Sequence, residues 1–370
     1  MKQVTSVGQW FKLLAIAAPL SPAICFAQSP TFSVQVLDNI SGGTVIAVKG
    51  INNAGEAVGG AGGGTSICSN ECAVIWQGGT PTVLGVVPGS SGVQTVALSV
   101  NNAGLVAGVM VTMANESSQA VIWNNGAPTL LPAPSPQYPS TGAASVNDAG
   151  QVAGNASSNT KSVAIVWNGL TPTVLSPVSG FTGNAYASGI NSQGLAVGTD
   201  YFSGSEGGEA VVWHGTTATP LPEIKPNQGT RAGKALAVNG EGLVVGTATN
   251  AAGEAEAAAW DGHTVTSMGV LGTGNRSTGT AVNNRGIIVG QSATVDYTVF
   301  HAALWTRVGA APQDLNSLIG ATAAAEYVLT GAMGINDSCA IVANGYNKKT
   351  GVLEAFLLTL INPSICVNGL

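Results

Sequence analysis

The sequence predicts an all-β chain folded as a seven-bladed β-propeller of four-stranded antiparallel blades. Three observations carry this expectation. A short turn signature recurs seven times, a tryptophan trails six of the copies at a near-constant distance, and the two chain ends complete each other as one blade.

Composition points the same way. Of the 370 residues 45% are hydrophobic, enough for a sizeable core, yet only 8% are charged and 51 are glycine. Long surface helices carry many Lys and Glu, so this balance disfavours helix, and short strands joined by glycine-rich turns suit it.

The first element is a secretory signal. Lys2 and Lys12 supply a positive start, Leu13 to Phe26 is mostly apolar, and Cys25-Phe26-Ala27 precedes Gln28 as a cleavage site. Pro19 and Pro22 break the apolar run, which is shorter than the roughly 20 residues of a spanning helix. Pro22-Ala23-Ile24 is also a poor lipoprotein signal ahead of Cys25. The expected organisation is a signal peptide over 1–27, a propeller over 28–363 and a tail over 364–370. The mature chain is then secreted or periplasmic, monomeric and without a transmembrane segment. Net charge is −6, or about −8 once the two signal lysines are gone. No basic patch offsets it, which argues against nucleic acid or an anionic membrane as partner.

The repeated signature is Val or Ile, then Asn, two residues, and Gly. Its asparagines are Asn52, Asn101, Asn147, Asn191, Asn239, Asn283 and Asn336, spaced 49, 46, 44, 48, 44 and 53 residues apart. The last copy carries Cys339 where the others have Gly. Asn tolerates the left-handed region and Gly supplies positive φ, so the segment reads as a turn after a first strand. A short apolar second strand follows, as in Leu243-Val244-Val245-Gly246, and then a variable polar loop. The third strand ends in Trp76, Trp123, Trp167, Trp213, Trp260 or Trp305, 20 to 24 residues behind the Asn, with leucine in the seventh copy. Asn168-Gly169 and Asp261-Gly262 are hairpin signals, with Gly78-Gly79, Asn125-Gly126 and His214-Gly215 at the same place. A fourth strand such as Pro172-Thr173-Val174-Leu175 completes the unit.

Four strands in roughly 47 residues is the arithmetic of a propeller blade. The seventh unit stops after three strands, and Phe32 to Leu37 alternates as the missing fourth should. Closing one blade with both ends removes the open edges an array would expose. In that phase the strand before each Asn is innermost. The residue four before it is small (Ala97, Ala143, Ala187, Ala235, Gly279, Ala332; Val48 is the largest), as convergence of the blades demands. The tryptophans then pack between blades.

Four cysteines follow the signal. An even number in an exported chain reads as two disulfides, Cys68 with Cys72 and Cys339 with Cys366. No histidine lies near a cysteine in sequence, so a metal site is not expected.

These residues resemble the HAF repeat, a bacterial extracellular repeat family. Its pattern runs Ala-x-x-Ile-Asn-x-x-Gly-x-Val-x-Gly, then His-Ala-Phe-x-Trp and an Asn/Asp-Gly turn. Ala187 to Gly198 matches the first half, His301 to Trp305 the second with Ala303 for Phe, and Glu354-Ala355-Phe356 is another close copy. The similarity covers residues 32 to 361. It implies a secreted, propeller-like array and brings no catalytic residues.

Catalytic signatures do not emerge from the chain. There is no Gly-x-Ser-x-Gly elbow, no His-Glu-x-x-His and no calcium loop. His301 stands at a repeat position filled elsewhere by Cys72, Gln119, Val163, Glu209, Glu256 and Glu354, which reads as a blade-surface site. The run Gly60 to Gly64 lacks a phosphate-cradle ending and reads as a flexible loop. No cofactor is expected.

The variable loops between second and third strands fall on one face. They carry Tyr201, Phe202 and Glu206 in one blade, Asp296, Tyr297 and Phe300 in another, and Asn344, Tyr346, Lys348 and Lys349 in a third. Aromatic rings near acids and amides suit sugar or peptide recognition. The expected function is therefore a non-catalytic binding scaffold for a carbohydrate or a surface protein. The alternatives are a polysaccharide hydrolase or lyase with acids at the channel mouth, and a structural envelope component.

Overall fold

A computed structural model describes residues 30–63, 68, 70–90, 92–112, 117–202, 207–224, 233–295 and 298–361. The expected signal segment and tail lie outside this set.

The described residues form seven four-stranded antiparallel sheets, a seven-bladed propeller. Blades 1 to 6 each use four consecutive strands. Blade 1, for example, runs Thr44–Ile51, Ala57–Gly62, Glu71–Gln77 and Thr80–Val83 from the axis outward. Blade 7 takes Tyr327–Ile335, Ile341–Asn347 and Leu353–Leu360 from the C-terminal part and Phe32–Val36 from the N-terminal part. The register pairs Phe32 with Leu360 and Val36 with Phe356, so the chain closes as the alternating N-terminal segment foretold. The described helical residues are a 3₁₀ turn, Leu315–Ser317, and a single helix, Ala321–Glu326, both in the link from blade 6 to blade 7.

The core consists of packed clusters between neighbouring blades. Trp123 of blade 2 lies with Val58 and Ala73 of blade 1, and Trp213 of blade 4 with Ala153 and Ala164 of blade 3. All six tryptophans are fully buried. Each indole N–H donates to a carbonyl on the chain leaving the preceding blade, as in Trp76 to Asp38 at 2.8 Å and Trp167 to Pro132 at 2.8 Å. The tryptophan therefore does two things, filling the wedge between blades and tying one blade to the exit of the last. Leu358 takes its place in blade 7, opposite Ile341.

At the axis the asparagines close a ring. Each carboxamide nitrogen donates to the backbone carbonyl of the next asparagine. The bonds run Asn52 to Asn101 (3.0 Å), Asn101 to Asn147 (2.9 Å), Asn147 to Asn191 (2.8 Å), Asn191 to Asn239 (3.1 Å), Asn239 to Asn283 (3.0 Å) and Asn283 to Asn336 (3.0 Å). Asn336 returns to Asn52 at 3.0 Å. The carboxamide oxygen meanwhile accepts from the amide four residues on, as Asn147 Oδ1 does from Gln151 N at 2.9 Å.

This corrects the reason given for the asparagine. It is not in the left-handed region; the residue three later is, at φ +78° for Gly104 and Gly150. Asparagine is there for its side chain, with an acceptor for its own turn and a donor for the next blade. In blade 7 the left-handed position is held by Cys339 at φ +63°, and Asn336 still makes the same turn, accepting from Ala340 N at 2.8 Å.

The second glycine of the motif also has a steric cause. A bulge in each inner strand brings a carbonyl against the facing glycine: a Cβ on Gly198 would strike the Tyr186 carbonyl, and one on Gly154 that of Gly142. Two local readings shift. The outer hairpin turns on Gly169-Leu170 rather than Asn168-Gly169, with Gly169 alone at positive φ, the pattern of a turn with glycine first. Gly60 to Gly62 belong to a buried strand, not a flexible loop, because the Glu71 side chain lies over Gly60.

Removing the Asn147 side chain strands the Asn191 carbonyl and the Gln151 amide in a buried setting. Asn147→Ala is expected to cost about 3 kcal/mol and to lower the melting midpoint by roughly 10 °C in a thermal scan. Gly198→Ala sets a methyl group against immovable backbone, and we expect a loss of about 4 kcal/mol or more, read as insoluble or molten protein beside a native Gly142→Ala control.

Candidate functional site

The two faces of the propeller are built differently. On one lie the asparagine turns and the outer hairpins, on the other the second-to-third-strand loops and the blade-to-blade links.

The asparagine face is saturated with its own hydrogen bonds. Outside the asparagine ring a second collar runs through Asn53, Asn102, Asp148, Ser192, Gly240, Asn284 and Asp337. Asp148 accepts from both Asn102 N (2.9 Å) and Asn102 Nδ2 (2.8 Å). Asp337 accepts from Asn284 N (2.8 Å), Asn284 Nδ2 (3.0 Å) and Asn53 Nδ2 (2.9 Å), and returns its own amide to Asn53 Oδ1 at 2.9 Å. The acids at this mouth are thus structural acceptors. Beneath the collar Ile51, Val100, Val146, Ile190, Val238, Val282 and Ile335 form an apolar constriction.

The opposite face differs from blade to blade, and there the expected site residues can be placed. Tyr201 ends the second strand of blade 4, edge-on to Tyr186 at 6.0 Å, and Phe202 lies on Phe181 with ring centroids 3.7 Å apart. Both rings are thus packed against their own blade. Phe300 is half-buried on the third strand of blade 6, opposite Ala293. Asn344 and Tyr346 lie within a strand of blade 7 rather than in a loop. Asn344 is a clasp: its carboxamide accepts from Val48 N at 2.9 Å and donates to Val48 O at 3.2 Å, joining blades 7 and 1. Lys348 caps the short helix through its amide to Glu326 O at 2.8 Å, and Lys349 is exposed. Glu206, Asp296 and Tyr297 lie outside the described residues. Blades 6 and 7 are neighbours and bring their loops side by side; blade 4 is separated from them by blade 5.

The same two loops expose large apolar side chains. Val295 and Val299 flank the blade 6 loop, Val352 and Leu353 the blade 7 loop, with Leu353 64% exposed. They were legible as hydrophobic residues, but nothing in their spacing said that they face solvent.

Three polar groupings here were hidden from sequence reasoning because they depend on strand register. In blade 4 Asp200 pairs directly across from Glu209, and both are buried. No other blade sets two acids at this pair of positions. Asp200 accepts the Val178 amide at 2.6 Å. Burial pushes its pKa up, against the pull of the Val178 and Tyr201 amides and of Lys161. In blade 7 Glu354 and Glu326 interact. Burial, and then the Glu326 charge, raise the Glu354 pKa, while burial and a hydrogen bond to Glu326 raise that of Tyr327. In blade 6 His301 Nδ1 lies 2.6 Å from Asp314 Oδ2. Ser292 stands across from His301 in register, but its hydroxyl accepts the Leu271 amide at 2.8 Å and is buried. The repeat position of His301 is therefore not a uniform surface site, since Cys72 and Glu209 are buried there.

Cys68 and Cys72 form a disulfide within blade 1. Cys339 is disulfide-bonded as well; Cys366, its expected partner, lies outside the described residues. No group of three or more metal-binding side chains occurs among the described residues, and no helix there is long and apolar enough to cross a membrane.

No family model and no curated protein matches the chain. Among solved structures it is similar to TolB from Acinetobacter baumannii, at 9% identity and a TM-score of 0.43, covering 82% of this chain and 63% of that one. YCF48 bound to a D1 peptide aligns at 12% identity and a TM-score of 0.46, over 90% of this chain and 96% of that one. The β-propeller domain of the Trilobed protease from Pyrococcus furiosus aligns at 10% identity and a TM-score of 0.38, over 75% and 97%. The chain thus spans less than two thirds of the TolB chain it matches, and the likeness at these identities is one of architecture.

A carboxyl whose folded pKa is raised holds its proton longer in the native state than in the unfolded one. Its contribution to stability is present at low pH and lost as pH rises from about 3.8 through the folded value. Asp200→Asn removes that dependence. The expected outcome is a melting midpoint equal to or above that of the parent at pH 7, with a smaller difference between pH 4 and pH 7. A variant less stable at pH 7 would show that ionised Asp200 is held by compensating contacts.

Proposed function

We propose that the chain is a non-catalytic binding scaffold of the extracytoplasmic space, which recognises a carbohydrate or a surface protein through the loop face. The observation that carries this is the contrast between the faces. Every blade commits its turn asparagine to the same self-satisfied ring, while the loop ends of adjacent blades 6 and 7 expose Val295, Val299, Val352 and Leu353. Exposed apolar side chains at the loop ends of neighbouring blades, with half-buried Phe300 and Tyr346 on the same strands, are the kind of surface that partners cover. The disulfides suit an oxidising compartment, in line with the signal segment and the HAF-repeat resemblance, which belong to the same proposal.

The second reading, a polysaccharide hydrolase or lyase, draws on one observation. Glu354 and Glu326 share one corner of the loop face, where burial and then the Glu326 charge raise the Glu354 pKa. Paired carboxyls serve acid–base chemistry on glycosides.

Val299→Asp/Leu353→Asp alters only exposed side chains, so its melting point should match the parent. In a screen against glycans and cell-surface proteins, the parent should bind a specific partner and the double variant should lose at least tenfold in affinity. Full retention by the variant would place recognition elsewhere. Release of sugar fragments by the parent but not by Glu354→Gln would favour the second reading.

A further inference from the structure

The axial channel is a separate feature, independent of the loop patch. On the loop side of the Val/Ile constriction lies a cavity of about 490 Å³. Its walls come from the last residues of all seven inner strands, and they are largely aliphatic: Leu98, Ala144, Leu236, Ala237 and Met333 among them. The constriction below is tight, with Val100, Val146, Ile190 and Ile335 buried, so the cavity narrows toward the asparagine face.

Charge in this channel is one-sided. Lys49 is the sole charged residue lining the cavity. Two residues nearer the loop face the inner strands carry Ala47, Val96, Gly142, Tyr186, Lys234, Thr278 and Gly331, and Lys234 is exposed. Lys234 stands two residues before Leu236, which sits at the bulge of this strand and lines the cavity. Neither ring of positions holds an acid, in a chain whose net charge is −6. Lys49 has no hydrogen bond or ion pair among the described residues. Glu71, on the third strand of blade 1, feels its charge, and burial still raises the Glu71 pKa overall. The Lys49 ammonium keeps its donors open, and an anion in the cavity would take them.

We propose that this channel is a binding site for a small amphiphilic anion, an apolar body carrying one carboxylate. The body lies against Leu98, Leu236 and Met333, and the head pairs with Lys49, with Lys234 drawing it in from the loop face. Cavities of this size, mostly apolar with a few placed polar groups, are the usual form of small-molecule sites. The constriction favours a compact ligand over a chain threading the axis.

Decanoate is the probe, decylammonium its opposite-charge control, and calorimetry on the purified chain the readout. Decanoate should bind one per chain and decylammonium should not. Lys49→Gln should weaken decanoate about tenfold, the loss of one charge-assisted contact. Lys234→Gln should weaken it less, and Lys349→Gln on the outer loop should leave it unchanged. Ser188→Trp, which fills the channel, should abolish binding while thermal unfolding stays two-state near the parent midpoint. No binding of decanoate, equal binding of both probes, or an unchanged affinity in Lys49→Gln overturns the proposal. The loop variant Val299→Asp/Leu353→Asp should bind decanoate normally, so this site and the loop patch fail or stand separately.

Discussion

The ring of asparagine carboxamides around the axis is the constraint on which the rest of the molecule depends. Each side chain accepts an amide of its own turn and donates to the next blade's backbone, as Asn191 accepts from Gln193 N and Leu195 N and donates to Asn239 O. Only a short side chain with an acceptor and a donor at fixed separation satisfies both. The turn must then be tight, which calls for a residue at positive φ three positions on. Buried polar groups that are all satisfied in a closed cycle resist rearrangement, because breaking one bond leaves two groups unpaired. The ring therefore holds neighbouring blades together at the axis. The tryptophans set the spacing further out, by filling the wedge that opens as the blades diverge.

This arrangement leaves the two faces unequal. The turn face is uniform because every blade must present the same turn to its neighbour. The loop face carries no such obligation, and differences accumulate there: an acid pair in blade 4, a His–Asp contact in blade 6, a short helix and a second acid pair at blade 7. The exposed valines and leucine of blades 6 and 7 and the lysines of the channel also open to that side. A rigid ring with one free face is a mechanical basis for recognition, since the scaffold orders the loops before any ligand arrives.

Much of this was legible in the chain, because repetition exposes it. A period near 47 residues, Trp76 to Trp305 in step, and Phe32 to Leu37 as the absent strand are one-dimensional signals for a quasi-one-dimensional array. The reading went astray where a residue's role lies in its side-chain partner. Asn52 and its equivalents do form turns, but their carboxamides also reach the next blade, 44 to 53 positions on in six cases and back across 284 from Asn336 to Asn52. Asn344 and Tyr346 seemed to sit in a loop, but their strand continues to Asn347. Asp200 and Glu209 were nine positions apart in sequence with nothing to say they face each other, because register depends on the length of the intervening loop.

What the sequence by itself determined is the architecture: seven units, four strands each, a closing strand from the N-terminal side and tryptophans between blades. Local patterns suffice for this, since each blade repeats the same alternation, turn chemistry and packing. Only the tertiary structure decided which groups meet around the axis and on the loop face. Those encounters join residues from different blades, and their distances follow from strand register, bulges and the closure of the ring. It is closure that turns seven separate asparagines into one cycle, and seven inner strands into a channel with a lysine in its wall.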